Sequence, residues 1–204
     1  MKIFIVNIPK QEYVSFYPLC CEILMDYFKK HNLDVYFLDK NDFGVDPSWL
    51  KLRCFDYVDD DFVLCWDMDL LPRKNSPSIV NYLNFSKINM VEDWTFYTDI
   101  IKAPKYPFFK FNGGLIGIPK SYKQTMEKVF LEAKTSTFES YEQYPLNREL
   151  YKNNFNDVHE LDHSWNSIFR IESISSLKVV HYPMVFDPLT RHKLVVFHHK
   201  VYFS

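Results

Sequence analysis

Apolar and polar positions follow two periods along this chain, and the switches between them mark its elements. The first apolar run, 2–6, predicts a buried strand that ends in the loop Asn7-Ile8-Pro9. Over 13–30, Phe16, Leu19, Cys20, Ile23, Leu24, Tyr27 and Phe28 recur at three-four spacing, which predicts a helix. A second strand is expected at 35–38. A loop with Gly44 and Pro47 follows, and then a helix over 49–57 capped by Ser48. The run Phe62-Val63-Leu64-Cys65-Trp66 predicts a third strand. Further on, a short helix is expected at 79–85 behind Pro77, then a strand at 88–91, a loop at 95–107 and a glycine-interrupted strand at 108–118. The last third predicts an amphipathic helix at 121–134 and a helix at 141–152 broken at Pro145. A loop turning into helix at 157–169 and strands at 178–181 and 194–198 complete it. The alternating first half predicts an α/β fold with an open sheet, whose ligands sit at the carboxyl ends of its strands. Neither repeats nor linkers interrupt the 204 residues, so one domain over 1–204 is expected.

The third strand runs directly into two carboxylates, Asp67 and Asp69, separated by Met68. In an extended chain, residues two apart point to the same side. Two like charges held together between apolar flanks repel each other and lose hydration. A divalent cation relieves both costs, because hard cations take carboxylate oxygens. The alternative is a solvated turn or a pair of helix caps; the apolar flanks favour the cation.

Three further stretches stand out. The chain has 4 glycines where ordinary usage gives roughly 14, and three of them lie in Asn112-Gly113-Gly114-Leu115-Ile116-Gly117. Glycine weakens a strand unless a bulge or a close ligand requires it, and both readings stand here, with Asn112 placed to bond a hydroxyl. The stretch His159 to Asn166 gathers Asp162, His163 and Asn166 in one turn; ordinary capping is the alternative to a ligand role. The fourth is Val195-Val196-Phe197-His198-His199-Lys200, where a histidine at a strand's end would suit a metal.

Composition narrows the classes. A net charge of −2 shows no polybasic character of the kind that marks nucleic-acid or anionic-membrane binders. Hydrophobic residues make up 47%, ample for a core, and no run reaches the ~18 apolar residues of a membrane span. With 19 Phe, 14 Tyr and 4 Trp, the chain can spare rings for stacking on a sugar or base. Cys20, Cys21, Cys54 and Cys65 form no C-x-x-C pair and read as free thiols in a reducing compartment, so a cytoplasmic location is expected.

In order and approximate spacing, the four stretches resemble glycosyltransferases of the GT-A fold, especially the family 8 type of glycogenin and the galactosyltransferases. Asp67-Met68-Asp69 is similar to that family's D-x-D, and Phe111-Asn112-Gly113-Gly114-Leu115 to its F-N-[AS]-G-[VL]. Leu161-Asp162-His163 with Asn166 resembles its D-Q-x-x-L-N, with His163 in place of Gln. Phe197-His198-His199-Lys200 resembles a truncated H-x-x-G-x-x-K. The resemblance implies a GT-A, Rossmann-like domain: a mixed, mostly parallel sheet flanked by helices, nucleotide-binding over about 1–75 and donor-sugar and acceptor-binding over about 76–204. It implies a Mn²⁺ or Mg²⁺ ion held by Asp67, Asp69 and His198. It implies a UDP-glucose or UDP-galactose type donor and a glycan or protein-linked sugar as acceptor.

On the same resemblance, Val6, Asn7, Ile8, Tyr13 and Asp39 would hold the base and ribose, and Asp67 and Met68 would share in that contact. Asn112, Gly113, Gly114, Asp162 and His163 would hold the donor sugar; Asp162, Asp93 and Asn112 are the candidates for catalysis, with Asp93, Glu92 or Asp162 the base that an inverting enzyme would need. Lys51, Arg73 or Lys200 would supply positive charge to the diphosphate. Retention of anomeric configuration is expected. Two other classes share parts of the pattern. One is a haloacid-dehalogenase-type phosphatase, whose D-x-D normally continues Gly-Thr where this chain has Leu70-Leu71. The other is a non-catalytic module that binds sugar nucleotide or Ca²⁺.

Overall fold

A computed structural model describes residues 1–9, 14–93, 110–134, 142–168, 177–182 and 187–204. In chain order the strands and α-helices are β1 (Lys2–Val6), α1 (Tyr17–Lys30), β2 (Val35–Leu38), β3 (Phe62–Trp66), β4 (Leu70–Pro72) and β5 (Ile88–Glu92). They continue with β6 (Phe111–Pro119), α2 (Lys123–Phe130), α3 (Gln143–Tyr151), β7 (Val158–Leu161), β8 (Ser167–Ile168), β9 (Val179–His181) and α4 (Pro188–Phe203). The 3₁₀ helix Pro47–Asp56 joins β2 to β3, and shorter ones lie at Ile79–Tyr82 and His163–Trp165.

Six strands form the main sheet in the order β2-β1-β3-β6-β5-β7. All run parallel except β6, which is antiparallel to both β3 and β5. The alternation of elements predicts the open α/β sheet, and the resemblance implies its mixed, mostly parallel order with helices on both sides; the observed sheet has both features. Both faces of the sheet are covered, so its strands are apolar throughout rather than alternating. On β1, Ile3 and Ile5 face a core shared with α1 and α4, while Phe4 faces a second core shared with the Pro47–Asp56 helix, α2 and α3. β3 divides in the same way: Phe62, Leu64 and Trp66 face one core, Val63 and Cys65 the other. A small second sheet, β4-β9-β8, extends past the end of β3. Among the described residues, no helix is long and apolar enough to cross a membrane.

Several expectations change. The helix over 49–57 is a 3₁₀ helix, and its cap is Asp46, whose side chain accepts from the Ser48 N–H. Over 121–134, α-helix is confined to α2, with 3₁₀ turns on either side. Pro145 does not break α3: it lies in the first turn, where a missing N–H costs nothing. The stretch 157–169 forms strand β7, a 3₁₀ turn and strand β8 in place of loop and helix. The expected strand at 194–198 is helix. Asp187 caps α4, Pro188 opens it, and Arg191, Val195, His198 and Tyr202 form a buried stripe at three-four spacing. Tyr13 and the expected loop over 95–107 lie outside the described residues.

Candidate active site at the carboxyl edge of the sheet

Because β6 runs against its neighbours, its first residues lie at the same edge as the last residues of β1, β3, β5 and β7. The Asp67 N–H donates to the Gly114 carbonyl at 2.9 Å, extending the β3–β6 ladder one step past Trp66. The chain then turns. The Leu70 N–H donates to the Asp67 carbonyl at 3.0 Å, which closes a tight turn over Asp67-Met68-Asp69-Leu70. The two carboxylates therefore converge through a turn, not along an extended strand. Met68 is buried in the apolar core beneath it. β4 leaves this turn and pairs with β9, setting Leu70 opposite His181, and the Tyr182 N–H donates to the Asp69 carbonyl at 3.1 Å.

That pairing brings a histidine to the carboxylates. One ligand atom each from Asp67, Asp69 and His181 lies within 4.8 Å of the others. Two carboxylates and an imidazole are a donor set suited to a divalent cation. Burial, with Arg191 nearby and against the pull of Asp69, lowers the His181 pKa, so the ring is neutral and a nitrogen lone pair is available. Its Nε2 lies 3.7 Å from Asp69 Oδ1, and its Nδ1 is buried with no hydrogen-bond partner among the described residues. His198, expected as the third ligand, is not in this cluster. It sits on α4 with Nε2 3.1 Å from the Pro72 carbonyl and Nδ1 2.9 Å from the Tyr182 hydroxyl. A carbonyl only accepts, so Nε2 donates and Nδ1 accepts, and both nitrogens are taken.

Lys51 rises from the 3₁₀ helix beneath the sheet and is buried. Its ammonium spends all three donors here: on Asp67 Oδ1 at 2.7 Å, the Gly113 carbonyl at 2.7 Å and Glu142 Oε1 at 2.8 Å. Burial alone would lower its pKa; Asp67 and Glu142 outweigh that and hold the ammonium charged. The carboxyl gives way instead. Burial, reinforced by Asp69 and Glu142 and opposed by Lys51, pushes Asp67 up to about 7. About a third of the Asp67 side chain still meets solvent, which moderates the rise.

The glycine cluster is a β-bulge. Met90 of β5 faces Ile116, yet the next residue, Val91, faces Asn112. Gly113, Gly114 and Leu115 therefore arch away from β5, and neighbouring side chains close on the bare backbone. A Cβ on Gly113 would lie 2.5 Å from Glu142 Oε1; one on Gly114 would lie 2.6 Å from Leu70 Cδ1 and 3.3 Å from His181 Cε1. Gly113→Ala is expected to drive Glu142 off Lys51 and to destabilise the fold by about 1–3 kcal/mol, the usual cost of overpacking. An unchanged urea midpoint for this variant would show that Glu142 can move aside freely.

Polar side chains converge on the bulge from four elements. Asn112 Oδ1 accepts from the Gly114 N–H and from Asn166 Nδ2, each at 2.7 Å, and Asn112 Nδ2 lies 3.2 Å from Asp93 Oδ2. Gln143 donates to the same Asp93 oxygen at 2.8 Å and accepts from the Gly113 N–H at 3.1 Å. Asn147 grips both backbone groups of Phe111 at 2.8 Å. On the far side of Asp67, Asn7 Nδ2 donates to Asp39 Oδ1 at 2.7 Å, tying the loops after β1 and β2 together beside Val6 and Ile8.

Solved structures of two glycosyltransferases are among those that share this architecture. One, a glycosyltransferase involved in the glycosylation of the major capsid of PBCV-1, aligns over 96% of this chain and 98% of its own length, with a TM-score of 0.72 and 15% identity. The fold is that of the GT-A glycosyltransferases. The other is the glycosyltransferase GlyE of Streptococcus pneumoniae TIGR4, at TM-scores of 0.63 (apo form) and 0.62, with 14% and 12% identity. Alignment to GlyE covers 97% of this chain and about three fifths of GlyE. No protein-family model matches the sequence, and no curated protein does.

Beside His181 and Arg191, Glu142 and Gln143 are candidate site residues that the sequence analysis does not name. Glu142-Gln143-Tyr144-Pro145-Leu146-Asn147 fits the D-Q-x-x-L-N pattern more closely than the stretch around Asp162, and it was readable as such. From that later stretch it is Asn166 that reaches the bulge. Asp162 caps the 3₁₀ turn, and the Ser164 hydroxyl and N–H, helped by Lys178 3.4 Å away, keep its carboxyl below the usual range. His163 follows it, half-exposed. Lys200 is exposed on α4, about 13 Å along the helix from Arg191 at the usual rise per residue. Arg191, not Lys200, brings positive charge to the carboxylates: its Nη2 bonds Asp69 Oδ2.

Proposed function

We propose that this protein transfers a hexose from a UDP-sugar to an acceptor hydroxyl on a glycan or a protein-linked sugar, with Mn²⁺ or Mg²⁺ as cofactor. The observation that carries the reading is the convergence of Asp67, Asp69 and His181 beside the Asn112–Gly114 bulge, at the carboxyl edge of a GT-A sheet. Asp67, Asp69 and His181 would hold the cation. Bound there, it would neutralise charge developing on the diphosphate leaving group.

The chain's own residues supply the rest. The joined loops of Asn7 and Asp39, with Val6, Ile8 and Tyr13, take the base and ribose. Lys51 fixes Asp67 and sets Glu142 against Gly113. The donor sugar lies on the Gly113–Gly114 bulge, where bare backbone permits close approach, and Asn112 and Asp93 address its hydroxyls, with Asp162 and His163 as further candidates for that contact. Retention of configuration suits this arrangement. An inverting enzyme needs a carboxylate base at the acceptor hydroxyl, whereas Glu142 is locked on Lys51 and Asp93 is committed through Oδ2 to two amide N–H groups and through the proposed contact to the donor sugar. The phosphatase alternative loses its support, because the neighbours in fold are glycosyltransferases.

A panel of nucleotide sugars with Mn²⁺ tests the donor. Binding to the native state raises the melting temperature by mass action, and at least one UDP-hexose is expected to do so in a Mn²⁺-dependent way. A panel without any shift would remove the donor assignment. NMR of the fresh product's anomeric proton tests the stereochemistry, and an inverted product would overturn retention.

A further inference from the structure

Arg191 lies in the first turns of α4, its N–H bonded to the Asp187 carbonyl at 3.0 Å. The side chain is buried, its guanidinium 5.0 Å from the Phe16 ring centroid and its Nη2 on Asp69 Oδ2. Asp69 is therefore claimed twice, by this guanidinium and by the cation that the proposed function requires. A guanidinium and a divalent ion on one small carboxylate repel each other, and neither is well hydrated in a buried site. Arg191 holds Oδ2 while Oδ1 faces His181, 3.7 Å from its Nε2, so each charge weakens the other's hold on Asp69. A guanidinium that leaves Asp69 needs another anion nearby, and its planar fork matches a phosphate as well as a carboxylate.

We propose that Arg191 is an exchangeable counter-ion: it neutralises Asp69 in the metal-free protein and passes to the diphosphate that arrives with the metal. The inference rests on the proposed function, and it adds a specific residue and an order of events. The diphosphate takes the arginine off Asp69, so metal and nucleoside diphosphate bind cooperatively. Arg191 opposes the metal when it comes alone and favours the metal–nucleotide pair.

Isothermal titration with Mn²⁺ alone, and with UDP at saturating Mn²⁺, tests this through two changes of opposite sign. In Arg191→Gln, Mn²⁺ alone is expected to bind about tenfold more tightly, and UDP with Mn²⁺ about tenfold more weakly, each the equivalent of one lost charge contact. Arg191→Lys keeps the charge without the fork, so its Mn²⁺ affinity should stay near wild type while UDP still weakens; it carries the test if the Gln variant does not fold. If Mn²⁺ binds more weakly to Arg191→Gln, or UDP affinity is unchanged in both variants, the exchange is wrong while the proposed function stands. If the wild-type protein binds neither Mn²⁺ nor UDP, the proposed function falls and the exchange with it.

Discussion

Asp69→Asn is expected to lower UDP-sugar turnover by roughly 10³-fold, the scale of losing a preorganised charge at a leaving group. The amide keeps the shape of the carboxylate and takes away the charge that would hold a cation. It also takes the charge from the carboxylate that Arg191 is buried against. Leaving one partner of a buried ion pair uncompensated typically costs about 3–5 kcal/mol, so the variant should also melt earlier. The two effects separate by adding Mn²⁺: the wild-type protein is expected to gain stability with the logarithm of Mn²⁺ concentration above its dissociation constant, and Asp69→Asn to gain none. Wild-type turnover in a folded Asp69→Asn protein would remove the metal from the mechanism.

The sheet was legible because its central strands are buried on both faces. Runs such as Ile3-Phe4-Ile5 and Phe62 to Trp66 need no partner to be recognised, and the three-four spacing of α1 is equally plain. Asp67 and Asp69 were legible for a related reason: charge placed at the end of such a run calls for a ligand. The histidine was harder. Val195-Val196-Phe197 has the local character of a strand, but burial of Arg191, Val195, His198 and Tyr202 on one stripe makes it helix, and tertiary packing overrides propensity. His181 already ended an expected strand; what singled it out was the β4–β9 pairing, and β4 is only three residues long. Lys51 shows the same limit. The resemblance offers this lysine as charge for a diphosphate, and only the fold reveals that Asp67 and Glu142, 16 and 91 residues away, enclose it instead.

That enclosure gives Lys51→Met an expected cost to stability as large as that of Asp69→Asn. Methionine fills the volume of the lysine stem but leaves Asp67, Glu142 and the Gly113 carbonyl without their shared donor. With Glu142 buried and Asp67 partly open to water, a loss of about 3–5 kcal/mol is expected at pH 8. The loss should shrink in acid. Asp67 titrates at about 7 in the folded protein against 3.8 as its ordinary value, even with Lys51 pulling it down; without Lys51 it titrates higher still. An acid whose folded pKa is raised binds more protons folded than unfolded, so its stability contribution falls as pH rises from about 4 through the folded value. Lys51→Met should therefore be least stable at pH 8 and recover steadily toward pH 5. Urea midpoints across that range measure it. A variant as stable as wild type at pH 8, or one whose deficit does not narrow on acidification, would mean that Lys51 neutralises nothing. The lysine would then be no more than packing beneath the bulge.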